Sequence, residues 1–386
     1  MKIARLLLFL LALHFTGTSY ARQDSTCRLR ISLLTCSPGE ELYSAFGHTA
    51  IRVVDSTLGT DIVYNYGTFD DSDPDFYLKF TKGLMLYALS AYPFADFVRE
   101  YQYYQRGVIE QTLQLSCAQA LQLAAALRKN NMPENRFYNY YFHTDNCTTR
   151  ARDMIAQQSG AGISFNNILG ATAPTYRELI HSYLDKGGQY WSKFGIDILL
   201  GANLDKTVSN QEAMFLPDYL LKGVDSAFVE NAPLVASKQV ILPETPLDQS
   251  AKTLLTPLTF FAGLLVLIGG LSLLPSKGVR KLLTAFDIFF FLSLGILGIL
   301  LLSLWIVRVD DVCRNNLNLL WALPTHLPLA FILWSRKEWI RRYFRFVFFF
   351  TLLVTVCWFF LPQQLNLAVA PILGLILVRS WYRTKA

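Results

Sequence analysis

The chain reads as an exported α+β domain followed by an all-α membrane domain of about five helices. Three observations predict this: a secretory-type N-terminus, five long apolar runs confined to the last third, and a partition of charge between the two parts. At the N-terminus Lys2 and Arg5 precede an apolar run from Leu6 to about Phe15, and Ser19-Tyr20-Ala21 supplies small residues where a signal peptidase reads. Residues 1–21 are therefore expected to be a signal peptide, with the mature chain starting near Arg22 outside the cytoplasm. Residues 22–250 form the exported domain and 251–386 the membrane domain.

The formal charge of +6 invites a nucleic-acid reading until the charges are located. Residues 22–250 carry 19 Lys/Arg against 25 Asp/Glu, whereas 251–386 carry 14 against 4. The basic excess thus accompanies the apolar runs Leu254–Leu274, Leu282–Val307, Leu317–Trp334, Phe344–Leu361 and Leu365–Val378, most of them long enough to cross ~30 Å of hydrocarbon as helices. With the N-terminal domain outside, the inner loops 275–281 and 336–345 and the tail 379–386 hold 3, 5 and 3 basic residues; the outer loops 308–316 and 361–366 hold 2 and 0. That asymmetry is the positive-inside pattern of a multi-pass membrane protein with an extracytoplasmic N-terminal domain. A membrane is the expected surrounding and nucleic acid is excluded as a partner.

Within the apolar runs, Asp287 lies six residues after Lys281 and is expected at the interface, satisfied by water and lysine. His326 sits between two prolines, where a neutral imidazole bonded to a freed carbonyl is expected.

In the exported domain, alternation in 48-HTAIRVVD-55 and 61-DIVYNYG-67 predicts a hairpin, with Gly59 in the connecting loop. Helical signals appear at 116–131, with Ser116 as N-cap, and at 148–158. The aromatic-rich stretch 64–104 reads as packing. The segment 242–252 reads as a connector into the first apolar run.

The chemistry centres on Cys147. Outside the cytoplasm a cysteine is by default a disulfide partner, and spacing allows Cys27–Cys36, with Cys117–Cys147 as the competing reading. Against that pairing, Cys147 opens a helix after Thr-Asp-Asn, where free backbone N–H groups and the dipole stabilise a thiolate. A thiolate needs a base. His48, at the start of a strand and preceded by Gly47, which leaves room for a substrate, is the first choice. His143 is the competitor, although a bond to its local turn explains it as well, and His181 is expected at the surface. No HExxH or CxxC motif is present, so neither a metal nor any other cofactor is expected.

A strand opening Gly-His-x-Ala-Ile and a later Asn-Cys entering a helix resemble the circularly permuted NlpC/papain-like fold of the lecithin:retinol acyltransferase group. More closely, 38-PGEELYSAFGHTAIRV-53, 62-IVYNYGTFD-70 and 145-DNCTTRARDM-154, with several membrane helices after them, resemble the bacterial Lnb lipoprotein N-acyltransferase family over essentially the whole mature chain. The resemblance implies that His48 activates Cys147, which takes an acyl chain from a membrane phospholipid donor and passes it to the α-amine of a lipoprotein acceptor. The third catalytic group lies among Tyr64, Asn65 and Tyr66; Asn65 is preferred because an amide can orient an imidazole. An oxyanion donor is sought in the Cys147 N–H, helped by Asn146 or Tyr64, and Arg52 and Arg150 are candidate phosphate contacts. Two rivals stand beside this reading: a membrane-anchored NlpC-like cell-wall peptidase or amidase, and a non-catalytic assembly module with its cysteines paired.

Overall fold

The computed structural model describes residues 27–69, 74–158, 162–245, 255–333, 335 and 337–385. The expected signal peptide and the expected boundary near residue 250 lie outside the described residues. From Cys27 onward the chain forms a mixed α/β region with a large sheet, and then a helical region.

The sheet is antiparallel and seven-stranded. Its strands are β1 (Leu29–Cys36), β2 (His48–Asp55), β3 (Thr60–Thr68), β4 (Leu86–Pro93), β5 (Val108–Leu113), β6 (Phe137–Asn139) and, after a second small sheet formed by β7 (Ile163–Phe165), β8 (Ala227–Val229) and β9 (Ala232–Pro233), β10 (Val235–Leu242). Spatial order is β10-β5-β1-β2-β3-β4-β6. Apolar residues on both parities of β1 predict a strand covered on both sides, and it is. Ile31 and Leu33 face helices Cys117–Asn130, Cys147–Gln158 and Pro217–Asp225, while Leu34 and Cys36 face helix Phe94–Tyr103.

The β2–β3 hairpin forms as its alternation requires, with Gly59 at φ +64° in the connection. Ser116 caps the Cys117–Asn130 helix and closes a capping box with Gln119. The disulfide is neither pairing anticipated from spacing. Cys27 bonds Cys117, closing a separation of 90 residues and tying the start of β1 to this helix, while Cys36 and Cys147 are free.

The C-terminal region contains helices Pro257–Ser272, Lys277–Val307, Glu338–Val356 and Val369–Lys385. Among the described residues only Lys277–Val307, 31 residues long, is by itself long and apolar enough to cross a membrane. The third apolar run is not a continuous helix. Pro324 and Pro328 break it into a 3₁₀ turn at Leu317–Leu320 and a short helix at His326–Ala330. It lies directly on the long helix at Gly295 and Gly298, where any side chain would strike the backbone of Leu327 and Ala322.

One expectation for a polar group in this region is corrected. Asp287 is completely buried and bridges Arg379 (2.6 Å) and Arg383 (2.6 Å) rather than being satisfied by water and lysine. Arg379 also donates to Ser272 Oγ (2.6 Å), so the cluster fastens three helices together. His326 meets the Tyr343 hydroxyl through Nδ1 (2.8 Å), and that hydroxyl in turn meets Thr325 (2.8 Å).

The α/β and helical regions dock through polar groups. His181, expected at the surface, has Nε2 2.7 Å from Asp197. Asp197 also pairs with the buried Arg177 (2.9 Å) and accepts from Asn366 Nδ2 (2.8 Å). Gly201 N–H donates to Val312 O (2.8 Å) and Gln363 Nε2 to Leu200 O (2.9 Å). Both loops assigned to the outer side from charge, 308–316 and 361–366, therefore touch the α/β region.

Candidate active site

Helix Cys147–Gln158 lies against β2 and β3, and its first residue comes up at the open end of β2. The turn before it is built to start a helix there. Asn146 Oδ1 accepts from the Thr148 and Thr149 N–H groups (2.9 and 2.8 Å), and Thr149 Oγ1 accepts from Asn146 N–H (2.8 Å). Asn146 Nδ2 donates to Phe142 O (2.7 Å) and Phe215 O (2.9 Å). Its amide is thereby fully occupied as a helix cap, leaving no donor for an oxyanion.

Cys147 is 8% exposed. Burial alone would push its thiol up. The facing His48 charge, a hydrogen bond with His48, the Thr49 backbone and Thr148 more than offset this and bring it down to about 7. His48 responds reciprocally: burial disfavours its charge, but Cys147 and Asn65 raise its pKa above the usual imidazole value. Each shift favours the charged form of its group, thiolate for Cys147 and imidazolium for His48.

The hairpin register decides the third group. Ile51 stands opposite Tyr64, so Asn65 shares a face with Ala50 and His48 while Tyr64 and Tyr66 point to the other side. Asn65 Oδ1 meets His48 Nε2 in a hydrogen bond, which leaves Nδ1 for the thiol. Asn65 Nδ2 donates to the Tyr92 hydroxyl (3.1 Å). Tyr64 is buried in the core with Ile51, and Tyr66 donates to Asn130 Oδ1 (2.6 Å). Tyr64 is thus on the opposite face from His48.

The two candidate phosphate contacts are both engaged elsewhere. Arg52 is held by Asp61 (2.6 Å) and Glu110 (3.0 Å) and lies over the Phe94 ring. Arg150 pairs with Asp145 (2.6 Å) and lies 3.6 Å over the Tyr138 ring. His143 packs edge-on against Tyr176 (4.9 Å) with Nδ1 buried and without a hydrogen-bond partner, and burial lowers its pKa. It does not meet the thiol.

Gly47 has a backbone role rather than leaving substrate room: at φ +78° any Cβ would come 2.7 Å from Cys36 O. The residue that keeps space at the thiol is Gly67. It has φ +96° where the β3–β4 ladder is bulged, and its absent Cβ would lie 3.6 Å from Cys147 Cβ and 3.9 Å from His48 Cε1. The roles of Gly67 and Tyr92 are not evident from the pattern of residues alone. A glycine ending an alternating strand signals the first, whereas Tyr92 is one of many aromatics in its stretch.

This geometry is that of a Cys-His-Asn thiol site on the central strands β2 and β3 of an antiparallel sheet, joined to a helical membrane-type region. Residues 18–182 match the family described as the Lnb N-terminal periplasmic domain, and residues 249–386 match the Lnb transmembrane domain. The chain belongs to the Lnb-type family, as a membrane protein with an N-terminal periplasmic domain and a C-terminal membrane domain. No curated protein and no solved structure matches it significantly.

Proposed function

We propose that the protein is a lipoprotein N-acyltransferase of the bacterial inner membrane, crossing it about five times with residues 22–250 in the periplasm. The observation that carries this reading is the Cys147–His48–Asn65 cluster, with a thiol near 7, in a domain docked on the outer loops of a membrane region. The Cys147 thiolate attacks the carbonyl carbon of a phospholipid ester. The oxyanion is received by the Cys147 N–H at the first turn of its helix. The carbon–oxygen bond to glycerol then breaks, His48 gives its proton to the leaving alkoxide, and a lysophospholipid departs from a thioester. The free α-amine of a diacylated lipoprotein next attacks that thioester. His48 takes a proton from the amine as the carbon–sulfur bond breaks, and an amide forms while the thiolate is regenerated. Asn65, held by Tyr92, fixes the imidazole tautomer in both halves.

The same Cys/His pair is in principle able to cut a wall peptide. The polar docking of its domain on the membrane region favours a lipid ester over a soluble stem peptide. Mass spectrometry of lipoprotein N-termini tests the reading: triacylated termini are expected with the protein and diacylated termini with a free amine without it. Unchanged termini after its removal would contradict it.

A further inference from the structure

Among the described residues beside the site, Arg106 is a cation that the internal ion pairs leave free. Unlike Arg52 and Arg150, its guanidinium has no carboxylate partner there. Its Nε donates to Ser37 O (2.9 Å), its Nη2 is buried with no hydrogen-bond partner, and the group lies over the Tyr101 ring at 4.8 Å. An unpaired buried donor on a charged group is costly unless something supplies an acceptor. The backbone is bent to put it there. Gln105 has φ +54°, Arg106 N–H donates to Tyr101 O (2.9 Å), and Ser37 clasps Gly107 through two hydrogen bonds (2.9 and 2.8 Å). The Arg106 charge bears on both His48 and Cys36, the residue paired with His48 across the β1–β2 ladder. Nearby acids do not neutralise it: Glu100 bonds the Tyr92 hydroxyl, and Glu244, packed on Gly107, pairs with Lys186.

The surroundings indicate which anion. Tyr43, Tyr103 and Tyr104 stand 71%, 80% and 56% exposed next to this corner, the kind of amphipathic rings that settle at headgroup level. Glu244 begins the connection that leads to Leu255, whose carbonyl accepts from Trp191 Nε1 (2.8 Å) just before helix Pro257–Ser272.

We infer that Arg106 binds the phosphate of the lipid acyl donor, holding the headgroup while the ester reaches Cys147. This rests on the acyl-transfer reading, and the test separates the two. Acyl loading of Cys147 in the full-length protein is measured by mass spectrometry at neutral pH with two donors in detergent: a phospholipid, and a diacylglycerol that carries the same esters without phosphate. Arg106→Gln is expected to slow phospholipid loading by roughly tenfold or more, the loss of one charge-assisted contact, and to change diacylglycerol loading far less, because there only the minor effect of its charge on His48 is lost. Arg106→Lys, which keeps the charge without the fork, is expected to fall between. Equal slowing with both donors would overturn the phosphate contact and make Arg106 a structural residue. Inorganic phosphate added to the wild type should slow phospholipid loading by competition, leave diacylglycerol loading untouched and have no effect on Arg106→Gln; phosphate binding that requires Arg106 but leaves phospholipid loading unslowed at saturation would assign the corner to free phosphate and overturn the lipid contact. Failure of the wild type to load from either donor would instead overturn acyl transfer, and this contact with it.

Discussion

Cys147 shows how opposing effects set one pKa. Burial works against the thiolate, and His48, the Thr49 backbone and Thr148 outweigh it. Alkylation of the native protein by iodoacetamide should therefore rise with pH around a midpoint near 7, since a lowered thiol pKa means thiolate present at higher pH and lost as pH falls through that value. In His48→Ala the largest opposing contribution is gone, so the midpoint should move well up; an unmoved midpoint would contradict the pairing. Gly67→Ala should cost about 1–2 kcal/mol in stability from its left-handed backbone. It should cost more in activity, because the added methyl lies against Cys147 Cβ and His48 Cε1; full activity in a folded variant would contradict that placement. The nucleophile and base are legible in the sequence because their signals are local, a thiol at a helix start and a histidine at a strand start. Asn65 is legible only as one of three neighbours, because a strand register is a tertiary fact. The roles of Arg52, Arg150, Asn146 and Tyr64 are not legible, since what occupies a polar group depends on partners distant in sequence, such as Glu110 for Arg52 and Phe215 for Asn146.

At the scale of elements, the hairpin and the two capped helices arise from alternation, turn chemistry and an N-cap serine. The third apolar run does not become one continuous helix because hydropathy counts Pro324 and Pro328 as neutral while the helix ladder does not. The disulfide is out of reach from spacing, because Cys27 and Cys117 approach only once β1 and the Cys117–Asn130 helix pack together. Cys27→Ser should lower stability by about 2–4 kcal/mol, read as a lower denaturant midpoint, and leave the rate per folded molecule intact. A drop in rate without a drop in stability would mean that the bridge shapes the site. Asn146→Ala removes the helix cap and should cost about 0.5–2 kcal/mol, with an upward shift in the Cys147 alkylation midpoint as the first turn loosens.

For the whole molecule, the charge asymmetry and the docking surface agree on orientation. The two loops poorest in Lys/Arg are those that touch the α/β region, while 275–281, 336–345 and the tail carry the basic residues. A reporter active only outside the cytoplasm should work when fused near Asp311 and fail after Arg345 or at the C-terminus; activity at the C-terminus would require an even number of crossings. Docking also has a functional consequence, because Asp197 joins Arg177 and His181 of the α/β region to Asn366 of the helical region. It ties the region that carries the thiol to the helical region through one buried carboxylate. Acyl transfer through Cys147 is tested most directly by the mass of the peptide containing that residue after the purified protein meets phospholipid alone. One fatty acyl group is expected on that peptide, released by neutral hydroxylamine as thioesters are, and transferred to a diacylated lipopeptide bearing a free α-amine when one is supplied. No adduct on Cys147 under single-turnover conditions, together with cleavage of a muropeptide stem, would contradict acyl transfer.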